Sequence, residues 1–337
     1  MREMRLTATG GLKLRFLAAL FVSALLLTGP ATGRPSPGGP PSVTRLPENP
    51  IIRPTMLPAP DGENINGPSL IRVPSWVVGP LGRYYLYFAD HAGTYIRLAY
   101  ANRLSGPWAI HAPGVLNLAD APGCRGHIAS PDVIVDDQSQ QFRLYFHCPA
   151  RAASGQKTFL ALARDGLAFR AGSEILGQPY FRVFRHEGWW YAMVKGGALA
   201  RSTDGLHRFE PGPNPFGFAA SKVGAGPRPR HVAVLAESGA LAVYFSNIGD
   251  APERIQVARI PTSTDWLAWR VANIREVLRP ELAWEGAQLP IAESAPGEAL
   301  GRENALRDPA VFVDTDNRRY LLYSVAGENG LAIAEIR

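Results

Sequence analysis

The sequence predicts an all-β chain, a five-bladed β-propeller with a four-stranded antiparallel sheet in each blade, on three observations. A unit made of a β-branched stretch, an aromatic strand and a third strand ending in alanine recurs five times. The copies follow one another at roughly 50 to 60 residues, the length of one propeller blade. Asp-Gly, Asp-Asn and Glu-Gly pairs separate the stretches, as hairpin turns require, and 34 glycines and 30 prolines in 337 residues supply turns throughout.

In chain order, Arg2, Arg5, Lys13 and Arg15 precede or open an apolar run from Phe16 to Leu27, and Ala31-Thr32-Gly33 follows with small residues. This pattern predicts a signal peptide over residues 1–33, cleaved near Gly33, and hence an exported protein, periplasmic or extracellular. An uncleaved anchor is the other reading of the run. The run is shorter than the about 20 residues that a membrane helix needs, so no membrane span is expected in the mature chain. Residues 34–50 are rich in proline and glycine and read as an extended leader. The propeller domain is expected over 51–337.

The first copy contains Pro68–Val73, Tyr84–Phe88 and Ile96–Ala99. The second contains Pro131–Val135, Phe142–Phe146 and Phe159–Ala163. The third has Tyr180–Phe184, Trp190–Met193 and Ala198–Ala200, the fourth His231–Leu235, Leu241–Phe245 and Ile255–Ala258, and the fifth Asp308–Val313, Tyr320–Tyr323 and Leu331–Ala334. Fourth strands are expected at Trp108–Ile110, Ala168-Phe169, His207–Phe209 and Trp269–Val271. The last copy has none of its own, so an N-terminal strand should complete it, with Ile51-Ile52-Arg53 as the expected donor. Closure of this kind joins the ends of the ring.

In such a blade the start of strand one and the end of strand two share one rim, because neighbouring strands run antiparallel. Polar residues at those two places include Asn64, Asn66, Asp90 and His91 in blade one, and His127, Asp132 and His147 in blade two. Gln178, Arg182 and Lys195 follow in blade three, and Arg230, His231 and Asn247 in blade four. Blade five adds Arg307, Asp308, Ser324 and Glu328. Cys124 and Cys148 fall on the same rim of one blade, and in an exported chain the pair is expected as a disulfide.

The stretch His127-Ile128-Ala129-Ser130-Pro131-Asp132-Val133 resembles the Ala-Pro-Asp-Val/Ile motif of the five-bladed arabinanase, β-xylosidase and invertase clan. Arg307-Asp308-Pro309 resembles that clan's Asp-Pro pair, and Asn66-Gly67-Pro68-Ser69 is similar to proteins grouped as glycoside hydrolase family 43-like. The resemblance implies that an Asp-Pro aspartate serves as general base or nucleophile, that a Pro-Asp aspartate tunes the acid, and that a glutamate on another inner strand is the acid. The chain departs from the pattern at Gly67, where the clan's first-blade aspartate is expected, and at Gln178-Pro179, where a Glu-Gly-Pro is expected.

Glycoside hydrolysis needs one protonated and one ionised carboxyl flanking the bond, with environments that push their pKa values apart. Asp132 and Asp308 are the expected pair, and their cationic neighbours should hold both ionised. The acid candidates are then Glu285, in the insertion between blades four and five, followed by Asp90, with Glu187 expected on the opposite face. Asn66, His91, His127, Arg182, Arg230, His231 and Arg307 are the expected substrate-binding residues. The competing readings make Asp132 a turn cap, Asp308 a structural partner of Arg307 and Glu285 a solvated loop residue.

The expected function is an exported glycoside hydrolase acting on a glycan, furanose- or pentose-containing, by carboxylate acid/base catalysis. Its rivals are a catalytically inert sugar-binding propeller and a glycoside phosphorylase using Arg182, Arg230 and Arg307. The substrate is a carbohydrate. No cofactor is required and no histidine spacing fits a zinc site; the central channel leaves room for a calcium ion, which the sequence does not mark. Part of the formal charge of +6 lies in the N-terminal basic residues, which leaves no concentrated basic face for nucleic acid.

Overall fold

The protein, seen here as a computed structural model, is described over residues 42–217 and 228–337. The expected signal peptide and residues 34–41 of the expected leader lie outside the described residues. Within them, strand β1 (Val43–Arg45) comes first, followed by two short 3-10 turns at Pro54–Met56 and Asp61–Glu63. Blade one is β2 (Asn66–Arg72), β3 (Tyr84–Ala89), β4 (Tyr95–Ala101) and β5 (Ala109–Asn117). Blade two is β6 (Ala129–Asp136), β7 (Gln141–Pro149), β8 (Gln156–Ala163) and β9 (Arg170–Ala171). Blade three is β10 (Arg182–His186), β11 (Trp189–Met193), β12 (Leu199–Ser202) and β13 (Glu210–Pro211). Blade four is β14 (Pro229–Glu237), β15 (Ala240–Asn247), β16 (Ile255–Pro261) and β17 (Asn273–Leu278). Blade five supplies β18 (Arg307–Val313), β19 (Arg319–Ser324) and β20 (Leu331–Ile336), and β1 completes it in the order β1-β20-β19-β18.

The closing strand is therefore Val43–Arg45, eight residues upstream of the expected donor. Val43 pairs with Ile336, Thr44 with Glu335 and Arg45 with Ala334. Val43 and Thr44 are β-branched and suit a pleated edge, a signal hidden by the prolines around them. Ile52 adds only an isolated bridge to Leu331. The fourth strands of blades two, three and four also start later than expected. Phe169, Phe209 and Trp269 are buried side chains that enter each outer strand without belonging to it.

Contacts repeat from blade to blade, which is the physical content of the sequence repeat. The Tyr87 hydroxyl in blade one donates to the carbonyl of Gly166 in blade two at 2.9 Å. The Tyr145 hydroxyl in blade two does the same to Gly205 in blade three at 2.7 Å. Between the sheets, apolar faces such as Tyr87, Phe142 and Phe159 pack as cores with no accessible surface beyond 1%. Among the described residues, no helix is long and apolar enough to cross a membrane.

Candidate functional site at the propeller opening

Four of the five inner strands begin with a register shift, between Asn66 and Ser69, Ala129 and Asp132, Pro229 and Val232, and Arg307 and Ala310. In three of them the bulged pair is X-Pro with the first residue left-handed: Gly67 (φ 60), Ser130 (φ 49) and Asp308 (φ 50). Proline lacks a ladder donor, so it belongs at a bulge of this kind. Tyr180 (φ 67) enters blade three in the same left-handed region. Gly67 adopts it freely, whereas at a bulky tyrosine a positive φ is uncommon and often marks a functional position. The bulges carry His231 and Asp308, and the left-handed entry to blade three carries Tyr180, to one rim.

Asp308 has no exposed surface. Its Oδ1 meets Nδ1 of His231 from the neighbouring blade, and its Oδ2 accepts from the Ser324 hydroxyl at 3.3 Å. The ring of His231 lies 4.2 Å from that of Tyr180, which lies 4.1 Å from the ring of His147. His127 stands edge-on to His147 at 6.3 Å. Burial pushes His231 well below the usual imidazole range, and the charges of Arg230, Arg182, His91 and Lys195 push it further. His147 is lowered likewise, by burial and then by His127, His91, Lys195 and Arg182. Side chains from blades one to four thus act on the same two imidazoles, so they surround one opening. Burial lifts the Tyr180 phenol to about 12, which keeps it protonated at neutral pH.

A buried ionic layer surrounds this stack. Glu253, which sequence reasoning did not single out, is fully buried and accepts from Arg230 Nε at 2.8 Å and from Ser246 at 2.7 Å. Its second oxygen lies 2.8 Å from Arg307 Nε. Glu328 accepts from Asn64 at 2.6 Å and Asn66 at 3.1 Å, faces Arg307 at 3.4 Å and lies 3.7 Å from His91 Nδ1. Burial alone would raise Glu328, but His91, Asn64 and Arg307 outweigh it and hold the carboxyl below its usual range. The remaining nitrogens of Arg230 donate to Gly297 and Ala295 carbonyls, and Arg307 also pairs with Glu303. Arg230 and Arg307 are thus both paired with carboxylates inside the protein, so a phosphate would have to compete with Glu253, Glu303 and Glu328 for them.

The expected acid, Glu285, is corrected by the structure. It is fully buried, and it accepts from Arg45 Nε at 2.7 Å, Arg45 Nη2 at 3.0 Å and the Tyr323 hydroxyl at 3.1 Å. The backbone N–H groups of Glu281 and Leu282 also donate to it. It fastens the closing strand and is not presented to the opening. Asp90, the second acid candidate, accepts from the Ala92 N–H at 2.8 Å and from Arg97 at 3.3 Å. Glu187 lies in the turn between β10 and β11, away from the rim.

Asp132 stands one step past the bulge, where its Oδ2 accepts from the Val183 N–H of the next blade at 2.7 Å. Ser69 occupies the equivalent place in blade one and accepts from the Val133 N–H at 2.9 Å. The position is thus an inter-blade link. Burial raises the Asp132 carboxyl above its usual range, opposed by Arg182 at 3.7 Å and by the Val183 N–H. Asp132 and Asp308 have different partners, on blades three and four respectively. Cys124 and Cys148 form the expected disulfide, with Cα atoms 5.6 Å apart.

No family model matches the chain. Among solved structures, a thermostable family-43 glycoside hydrolase superposes with a TM-score of 0.57 at 15% identity, covering 81% of this chain and 88% of that one. A GH43_1 enzyme from Xanthomonas citri gives 0.56 at 13% identity, covering 82% and 88%. An exo-1,5-α-L-arabinanase from a bovine ruminal metagenomic library gives 0.51 at 13%, covering 81% and 92%. At these identities the likeness is one of fold. By sequence, the uncharacterized protein R118 of Acanthamoeba polyphaga mimivirus is 34% identical over 323 residues, 87% of this chain and 90% of that one. An identity of that size along almost the whole length of both shows the family: the chain belongs to the family of R118, and its own fold is the five-bladed propeller it shares with family-43 glycoside hydrolases.

Proposed function

We propose that the protein acts on glycans at this opening as an exported glycoside hydrolase, with Asp308 as the carboxylate that activates water or attacks and Asp132 as the carboxyl that carries the proton. The observation that carries the reading is Asp308, an aspartate on a left-handed X-Pro bulge at the centre of the rim, backed by Ser324 and His231. Asp132 supports it because burial favours its protonated form, the property a leaving-group acid needs. The shared fold supports it too, since a thermostable family-43 glycoside hydrolase and an exo-1,5-α-L-arabinanase have it.

A panel of aryl-glycosides and polysaccharides tests the proposal. Asp308→Asn and Asp132→Asn should each lower turnover by at least about a hundredfold in folded protein, as loss of an acid or base group does. Full activity in both variants would end it. A second reading, a sugar-binding propeller without turnover, is favoured by the fact that each rim carboxylate already has a hydrogen-bonding or ionic partner. Saturable oligosaccharide binding with no release of reducing ends would select that reading.

A further inference from the structure

Lys195 stands apart from the other cations of the opening. Arg230 and Arg307 are engaged by Glu253 and Glu328, Arg97 by Asp90 and Asp61, and Arg182 by two backbone carbonyls and Asp132. Lys195 is exposed, and among the described residues its ammonium has no hydrogen bond or ion pair. Its one contact is with the face of Tyr180, 5.3 Å from Nζ to the ring centroid. The left-handed Gly196 after it turns the chain, and the Lys195 N–H is held by the Pro179 carbonyl at 3.0 Å. The residue is fixed at the base while its charge is free at the tip. Although the side chain keeps exposed surface, the desolvation it does undergo and then the charge of Arg230 lower its pKa.

The acceptors present the opposite picture. A neutral sugar offers hydroxyl groups and is usually gripped by carboxylates and amides that accept from them. Here Glu253, Glu328, Asp132 and Asp90 accept from protein donors, and Asp308 is already held by Ser324 and His231. An incoming ligand meets the Lys195 ammonium and the half-exposed His91 and His127 imidazoles, while Tyr180 lies buried behind them between His147 and His231. Among the described residues, that surface carries a free ammonium at Lys195, while the carboxylates around it are already bonded within the protein.

We propose that the opening takes an anionic glycan, a chain bearing a uronic acid, whose carboxylate pairs with the ammonium of Lys195. The inference rests on the glycan reading above and narrows it to a substrate class. It gives the unpaired ammonium a partner of opposite charge, which a neutral sugar does not supply.

Calorimetric titration of the full mature chain with matched oligosaccharide pairs, such as oligogalacturonates and glucuronate-bearing xylo-oligosaccharides against their methyl-esterified or unsubstituted counterparts, tests it. The acidic member of a pair should bind at least about tenfold more tightly, with affinity falling as salt rises. Lys195→Met should abolish the difference and Lys195→Arg should restore most of it. Equal binding of neutral and acidic members, or a Lys195→Met protein that still prefers the acid, would overturn the inference and leave the glycan function standing. Inorganic phosphate binding as tightly as the acidic sugars would replace it with a simple anion site. Binding of no sugar of either class would overturn this inference and the proposed function together.

Discussion

Glu285 shows how one side chain decides between catalysis and architecture. Its two oxygens receive five hydrogen bonds, from Arg45, Tyr323 and the backbone of Glu281 and Leu282. Removing one partner of a buried pair leaves the other charge uncompensated, which costs about 3 to 5 kcal/mol. Glu285→Ala should therefore lower stability by about 3 kcal/mol, the lower end because Arg45 keeps Glu281 as a partner at 2.9 Å. Glycan binding or turnover per folded molecule should stay unchanged, and a thermal melt beside an assay corrected for folded fraction checks both halves. Sequence reasoning placed Glu285 at the rim because it lies in a long insertion. The insertion instead returns to the closing strand, and no local pattern announces a partner 240 positions away. Asp308 and the histidines were legible because they sit at fixed places in a repeat. Glu253 was not, since a glutamate after a turn looks like any exposed one until two arginines from different blades converge on it.

At the scale of elements, β6 and β7 with their flanks are joined by the Cys124–Cys148 disulfide, which closes a loop of sequence separation 24. A loop of that length restricts the unfolded chain by about 3.5 kcal/mol in the chain-entropy treatment. The double variant Cys124→Ala, Cys148→Ala should lose stability of that order in denaturant titrations, and reduction of the unaltered protein should produce the same loss. A midpoint unmoved by either treatment would mean that the bridge adds nothing to this blade. Strand centres were readable throughout because aromatic and β-branched runs are dense in β3, β7, β15 and β19. The outer strands were read too early in three blades. Their strongest apolar residues, Phe169, Phe209 and Trp269, face the core from the approach to the strand and leave the ladder itself polar.

For the whole molecule, the ring depends on three residues of β1. Ser42 and Arg337 exchange backbone hydrogen bonds at 3.2 and 3.0 Å, and the Leu46 N–H continues the ladder to Ile333 at 3.0 Å. A chain beginning at Pro47 should melt more than about 5 °C below one beginning at Ser42, since several ladder bonds and the Arg45–Glu285 pair disappear together. It should also associate more readily, because β20 would then expose an unpaired edge. Calorimetry and light scattering on the two chains measure both effects. The same pairing sets a timetable. β1 leaves the ribosome ahead of every blade, yet its only sheet partner, β20, is made after all the others. Four blades can gather their own strands as they emerge, while the earliest strand must stay unclaimed until the latest arrives, so sealing of the ring belongs to the time after synthesis of β20.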